Sequence, residues 1–318
     1  MVVEVMATLF LIVIAGYICG KTHVMSQEVS KGLSGLIVNL TCPCLILAST
    51  MGDVMPDRTL ILPLLLIGTI TYAVLLTLSW WLSRLLVCVP TSQRAETERD
   101  RLDERGIFSF MLAFGNVGFI GYPVAASLFG PEAVFYASVL NVPNTITVFI
   151  WGAQFIAGKE AGGNLLQRLY TPGLIGTYLS ILVVALQWHA PGMLSRPLQL
   201  VGNITVPGSL LIIGYSISQI PARHMAGGRR VLLMAPLRLL VLPLAVYGLF
   251  QLINMVPGIH FNDTSIAINT LLIAMPVASF GTIFCLKYGK DETTMAQGTF
   301  LTTLLALLSI PLMAAIIL

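Results

Sequence analysis

Phe114-Gly115-Asn116-Val117-Gly118-Phe119-Ile120-Gly121-Tyr122-Pro123 is an apolar run interrupted by three glycines, an asparagine and a proline. Proline lacks a backbone N–H and its ring collides with the preceding helical turn. Glycine is the weakest helix former after proline. A helix entering this stretch is therefore predicted to break near Gly121–Pro123. A second run of the same character, Ala274-Met275-Pro276-Val277-Ala278-Ser279-Phe280-Gly281-Thr282, is predicted to break at Met275–Pro276.

Both runs sit within long apolar stretches. Of 318 residues, 56% are hydrophobic and 10% charged. A water-soluble domain carries about 25% charged residues, so much of this surface must face lipid. A bilayer-crossing helix needs ~20 mainly apolar residues. That length picks out ten runs, near 3–20, 32–51, 59–87, 106–128, 132–157, 171–188, 198–220, 231–255, 266–287 and 293–317. The N-terminal run carries Glu4 in place of a basic cluster and ends at Gly20-Lys21 without a small-residue cleavage site. It reads as the first span, not as a signal peptide.

Lys and Arg concentrate in cytoplasmic loops. With the N-terminus outside, the cytoplasmic segments hold Lys21, Lys31, Arg84, Arg94, Arg99, Arg101, Arg105, Lys159, Arg168, Arg223, Arg229, Arg230, Lys287 and Lys290. Only Arg58 and Arg196 fall outside, and Arg238 lies within a span. The alternation predicts a multi-pass protein of the inner or plasma membrane with both termini extracellular or periplasmic. Thr91–Arg105, dense in charges of both signs, reads as a solvated cytoplasmic connector.

The chain also repeats itself. Asn39-Leu40-Thr41-Cys42-Pro43 in the second run matches Asn203-Ile204-Thr205-Val206-Pro207 in the seventh. The copies lie five runs apart, an odd number, so the second must cross in the opposite sense. The two interrupted runs, fourth and ninth, stand in the same relation. Inverted-topology repeats with interrupted helices in matching places are the plan of many secondary transporters, with the binding site at the interruptions. The predicted fold is all-α: ten transmembrane helices as two inverted five-helix repeats with broken, crossing fourth and ninth helices. The repeats are 1–157 and 171–318, joined by a cytoplasmic connector at 158–170.

At this point the sequence resembles the auxin efflux carrier family in its short bacterial form. Asn116, Gly121 and Pro123 stand at the intervals of the family's first crossover helix, and Pro276 falls where its second crossover proline falls. Arg238-Leu-Leu-Val-Leu-Pro243 is similar to the family's eighth span. The resemblance extends to the related plant PIN carriers and the bile acid/sodium symporter-like fold. It implies a homodimer, a scaffold of helices 1, 2, 6 and 7, and a moving transport domain of helices 3–5 and 8–10. It also implies organic-anion substrates, auxins in plants and malonate or similar carboxylates in bacteria. The long hydrophilic loop of many plant members is missing here. The ninth run has no Asp or Glu of the kind bile-acid sodium symporters use, so coupling to protons or sodium stays open.

Candidate substrate-binding residues follow. Arg238 lies deep in its span, where a charge is expensive and marks function by default. Its partners are predicted to be carbonyls freed at a helix break or a substrate carboxylate. Asn116 sits at the first interruption, with Gly115, Gly121, Tyr122 and Pro123 around it. Asn141 and Asn144 flank Pro143 one helical turn apart and share a face. Ser279 and Thr282 follow Pro276. Amides and helix N-termini bind an anion without burying a second charge. Asn39, Thr41, Asn203 and Thr205 are expected to satisfy carbonyls loosened by Pro43 and Pro207.

Other functions find little support. Cys19, Cys42, Cys44, Cys88 and Cys285 lack metal or disulfide spacing and read as buried reduced thiols. His23, His189, His224 and His260 fall in loops or at span ends, so no metal and no cofactor is expected. The acid–base groups of an intramembrane enzyme are missing, and a net charge of +3 does not suggest nucleic acid. The expected partners are the lipid bilayer, a small organic anion and a second copy of the chain. A channel-like or sensory membrane protein of the same fold is the alternative.

Overall fold

The computed structural model describes residues 2–51, 55–88, 98–158, 171–219 and 228–317. Among these residues the chain is helical, with no strand and one isolated antiparallel bridge. The helices are α1 (Val2–Lys21), α2 (Gln27–Ala48), α3 (Arg58–Val87), α4 (Glu98–Ala113), α5 (Val117–Phe129) and α6 (Ala133–Ala157). They continue with α7 (Pro172–Ala185), α8 (Gly192–Gly202), α9 (Thr205–Ser218) and α10 (Arg229–Asn254). The last three are α11 (Asp263–Ile273), α12 (Phe280–Lys287) and α13 (Glu292–Ile317).

Among the described residues, six stretches are long and apolar enough to cross a membrane: α2, α3, α6, Gly192–Ser218, α10 and α13. The first, fourth, sixth and ninth expected runs hold shorter apolar helices, Ala7–Lys21, Val117–Phe129, Pro172–Ala185 and Asp263–Ile273. The fourth and ninth are short because the chain leaves the helix inside them.

Local sequence accounts for many boundaries. Ser26, Asp57, Thr171 and Asn262 each accept a hydrogen bond from an N–H two or three residues on, as helix N-caps do. Gly130 closes α5 at φ 97°, a conformation that costs other residues a steric penalty. Within the predicted Thr91–Arg105 connector, Glu98–Arg105 extends α4, and 91–97 lie outside the described residues. The 158–170 connector, beyond its first residue, and His224 also lie outside them.

Three helices contain a π turn ending two residues before a proline: Ile37–Thr41 before Pro43, Val117–Gly121 before Pro123, and Leu237–Val241 before Pro243. The proline supplies no N–H to the carbonyl four residues back, and its ring crowds that carbonyl. A widened turn relieves the clash while the helix continues. A fourth π turn, Val148–Gly152, has no such proline after it.

The chain divides into two compact units. The first comprises Met1–Ile67, Val117–Val142 and Leu169–Ile220; the second comprises Gly68–Asn116, Pro143–Arg168 and Pro221–Leu318. In the first, α1 lies along α9, and the C-terminal half of α2 packs on α7 and α8. The α1–α9 seam is close because glycines line it. A methyl group at Gly16 would collide with the Leu211 backbone, and one at Gly214 with the Val13 carbonyl and the Tyr17 N–H. The repeated motifs also meet in this unit. Thr205 Oγ1 donates to Thr41 Oγ1 at 2.9 Å, with both threonines buried.

That contact corrects an expectation. Thr41 and Thr205 pair with each other across helices, and Asn39 donates to Gly35 O at 2.8 Å. The π turn already absorbs Pro43, and Pro207 stands in the first turn of α9, where N–H groups have no intrahelical acceptor. The cysteines are free, but they are not uniformly buried: Cys42 and Cys285 are, Cys19 and Cys44 are half-buried, and Cys88 is exposed. Cys88 follows the last turn of α3, past the packed part of that helix.

In the second unit, α10 and α11 pack on each other and both pack on α13, which also contacts α4 and α12. The start of α4 is held by ion pairs. Arg230 bonds Glu104 and also donates to Val87 O at 2.8 Å, while Lys290 reaches Asp103 at 2.7 Å.

Candidate functional site

The two interruptions lie together in the second unit. α4 stops at Ala113, and Phe114–Asn116 is extended before α5 begins. The break thus comes upstream of Gly121–Pro123, where the chain is helical. Pro123 follows the π turn at the start of α5, whose widened turn relieves the clash of its ring while the helix continues. The sequence marked the proline; the helix gives way instead at Phe114–Asn116, where Gly115 leaves room for the Arg238 guanidinium and the Met275 carbonyl. In the ninth run, α11 ends at Ile273 and α12 starts at Phe280, so Met275–Pro276 is non-helical.

The extended pieces pair. Gly115 and Val277 form an antiparallel bridge. Asn116 N donates to Pro276 O at 2.8 Å, and Ala278 N donates to Phe114 O at 3.0 Å. A helix break in an apolar interior leaves polar backbone groups that cost several kcal/mol each if unmet. Here each break satisfies the other. Thr302 of α13 completes the arrangement: its Oγ1 accepts from Val277 N at 3.1 Å and donates to Gly298 O at 2.8 Å.

Arg238, in the π turn of α10, is 1% exposed. Its Nη1 donates to Leu112 O at 3.0 Å. Leu112 is in the last turn of α4, where carbonyls lack intrahelical donors and the helix dipole is negative. The guanidinium also presses on Gly115, where a methyl group would collide with it and would stand 3.3 Å from Met275 O. Its Nε has no hydrogen-bond partner among the described residues. Near it is buried Tyr72, whose ring stacks on Phe114; elsewhere in this unit Asn269 Nδ2 donates to Thr71 Oγ1 at 2.9 Å.

The expected residues separate between the units. Gly115, Asn116, Asn144, Arg238, Pro276, Ser279 and Thr282 belong to the second. There Asn116 is half-buried, Asn144 is buried in α6, Ser279 is exposed in the turn before α12, and Thr282 is half-buried in its first turn. Gly121, Tyr122, Pro123 and Asn141 belong to the first, where Asn141 Nδ2 donates to Tyr122 Oη at 3.0 Å. The unit boundary between Val142 and Pro143 puts Asn141 and Asn144 on different sides, although one helix carries both. Thr302, Thr71, Asn269 and Tyr72 were not singled out from sequence. Their only mark was polarity inside an apolar run, which many structural residues share.

Comparison with known proteins covers the whole chain. A family described as membrane transport protein matches residues 1–167 and 163–314. An uncharacterized transporter of Methanothermobacter thermautotrophicus is 23% identical over 99% of this chain and 98% of its own length. An uncharacterized transporter of Methanocaldococcus jannaschii is 24% identical over the same shares.

Proposed function

The chain belongs to the membrane transport protein family, that of the auxin efflux carriers, and on that premise we propose that it is a secondary transporter of a small organic anion. It is a multi-pass membrane protein and a transporter. The proposal adds the substrate, a carboxylate such as malonate or an auxin-like monocarboxylate, and the mechanism, alternating access at the paired breaks. It retains the two inverted five-helix repeats, the homodimer and the cell-membrane location with both termini outside.

The observation that carries the reading is the Gly115–Val277 bridge with a buried arginine against it. Broken helices at membrane depth are tolerated where they are buried or line a cavity, and transporters place their sites at such breaks. Asn116, Ser279 and Thr282 flank the bridge and are at least partly accessible. In the proposed mechanism Asn116 donates its amide to the carboxylate. The N-terminus of α12 contributes positive dipole.

Binding by purified protein tests this. A hydrogen bond to a charged group contributes about 1.5–3 kcal/mol, so Asn116→Ala should weaken carboxylate binding roughly 10-fold to 100-fold and leave the protein folded. Wild-type affinity in that variant would remove the proposed site. In proteoliposomes, saturable uptake stimulated by substrate on the opposite side marks a carrier; flux without countertransport would instead indicate a channel.

A further inference from the structure

Two arginines are buried among the described residues, and they are treated differently. Arg230, 5% exposed, is ion-paired with Glu104. Arg238, 1% exposed, has no carboxylate partner among the described residues; it holds one carbonyl and leaves Nε unmet. The α4 dipole offsets part of a unit charge, equivalent to roughly half an electron charge at a helix end. Among the described residues, part of the Arg238 charge therefore remains uncompensated, in contact with Gly115 and one residue from Asn116.

We infer that Arg238 sets the charge of the accepted substrate: it favours a monoanion over both a neutral analogue and a dianion. This rests on the reading that Asn116 binds a carboxylate, and of the two substrate types named there it selects the monocarboxylate over malonate, a dianion at neutral pH. Arg238 acts from behind the chain. Its guanidinium is committed to Leu112 O and packed on Gly115, so it is a positioning and field-setting residue and not a direct ligand. One carboxylate beside Asn116 neutralises the charge that the fold leaves over. The other buried arginine among the described residues, Arg230, is already paired with Glu104 and does not offset the desolvation of a second carboxylate, and a neutral amide gains nothing from the field. Two charges several ångströms apart at the effective dielectric of a protein site interact strongly enough for a preference of roughly 10-fold to 100-fold.

Malonate, malonamate and malonamide are close in size and carry two, one and no negative charges at pH 7.5. Their affinities for purified protein, measured by calorimetry, test the inference directly. The wild type should bind malonamate at least about 10-fold tighter than malonamide and tighter than malonate. Arg238→Gln should bring malonamate and malonamide together, while Arg238→Lys, which keeps the charge, should preserve the order. Where Arg238→Gln does not fold, the Arg238→Lys order and the wild-type order decide. Malonate binding the wild type as tightly as malonamate overturns the inference. So does an unchanged preference in folded Arg238→Gln, or a lost one in folded Arg238→Lys. Each of these leaves the Asn116 site intact if Asn116→Ala still weakens binding. Binding that is indifferent to Asn116→Ala, or undetectable for all three compounds in the wild type, removes the underlying reading and this inference with it.

Discussion

The α1–α9 seam of the first unit and the paired breaks of the second answer the same demand in opposite ways. Both bring backbone against backbone in an apolar interior. At the seam both helices stay intact, every peptide group near the contact is served within its own helix, and closeness comes from removing side chains at Gly16 and Gly214. At the breaks the helices give up their internal bonds, and the exposed peptide groups are served by another segment, with Thr302 and Arg238 meeting what is left over. A seam of the first kind is rigid and chemically silent. An arrangement of the second kind places a buried charge, an amide and two helix ends within a few residues of each other. That difference is why the second unit, and not the first, is where the transported anion is proposed to bind.

Substitutions at the glycines separate the two. Gly214→Val should have the largest effect, because the added atoms meet the Val13 and Tyr17 backbone, which cannot rotate away. Overpacking typically costs about 1–3 kcal/mol and occasionally more, and a backbone clash belongs at the upper end. Size-exclusion profiles and thermal unfolding in detergent should show a strongly destabilised protein; a normal melting temperature would mean the helices can slide apart at little cost. Gly115→Ala should be milder in stability, since the main obstacle is the end of the Arg238 side chain. Its effect on anion affinity should be larger than its effect on melting, because moving the guanidinium shifts the charge near Asn116. If stability and affinity fall together to the same degree, the breaks are a packing feature like the seam. Thr205→Val should be the smallest: it removes one neutral hydrogen bond and leaves Thr41 able to bond a helix carbonyl. The loss should be about 0.5–1.5 kcal/mol, with substrate affinity unchanged. A change in affinity there would mean that the first unit is not silent.

Particular residues show how far the sequence could be read. Pro276 announced its break because a proline after an apolar helix has nowhere regular to go, and α11 does end just before it. Pro123 announced a break that falls seven to nine residues earlier. Three prolines here are absorbed by π turns, and whether a proline widens or ends a helix depends on what surrounds it. Arg238 was conspicuous because an unpaired charge in an apolar run is rare, yet nothing local pointed to Leu112 O, which lies 126 residues away. Thr302 passed unnoticed since threonine in a membrane helix commonly bonds its own preceding turn.

The sequence alone determined the class of the protein, its apolar segments, the positions where helices are weak and the single charge within them, because hydropathy, proline and glycine act through the chain's own few neighbouring residues. Only the tertiary structure decided where the fourth run gives way, which peptide groups meet across the breaks, and that Arg238 packs on Gly115. Those depend on contacts between segments more than a hundred residues apart, and a buried polar group takes whichever partner the packing brings within about 3 Å of it.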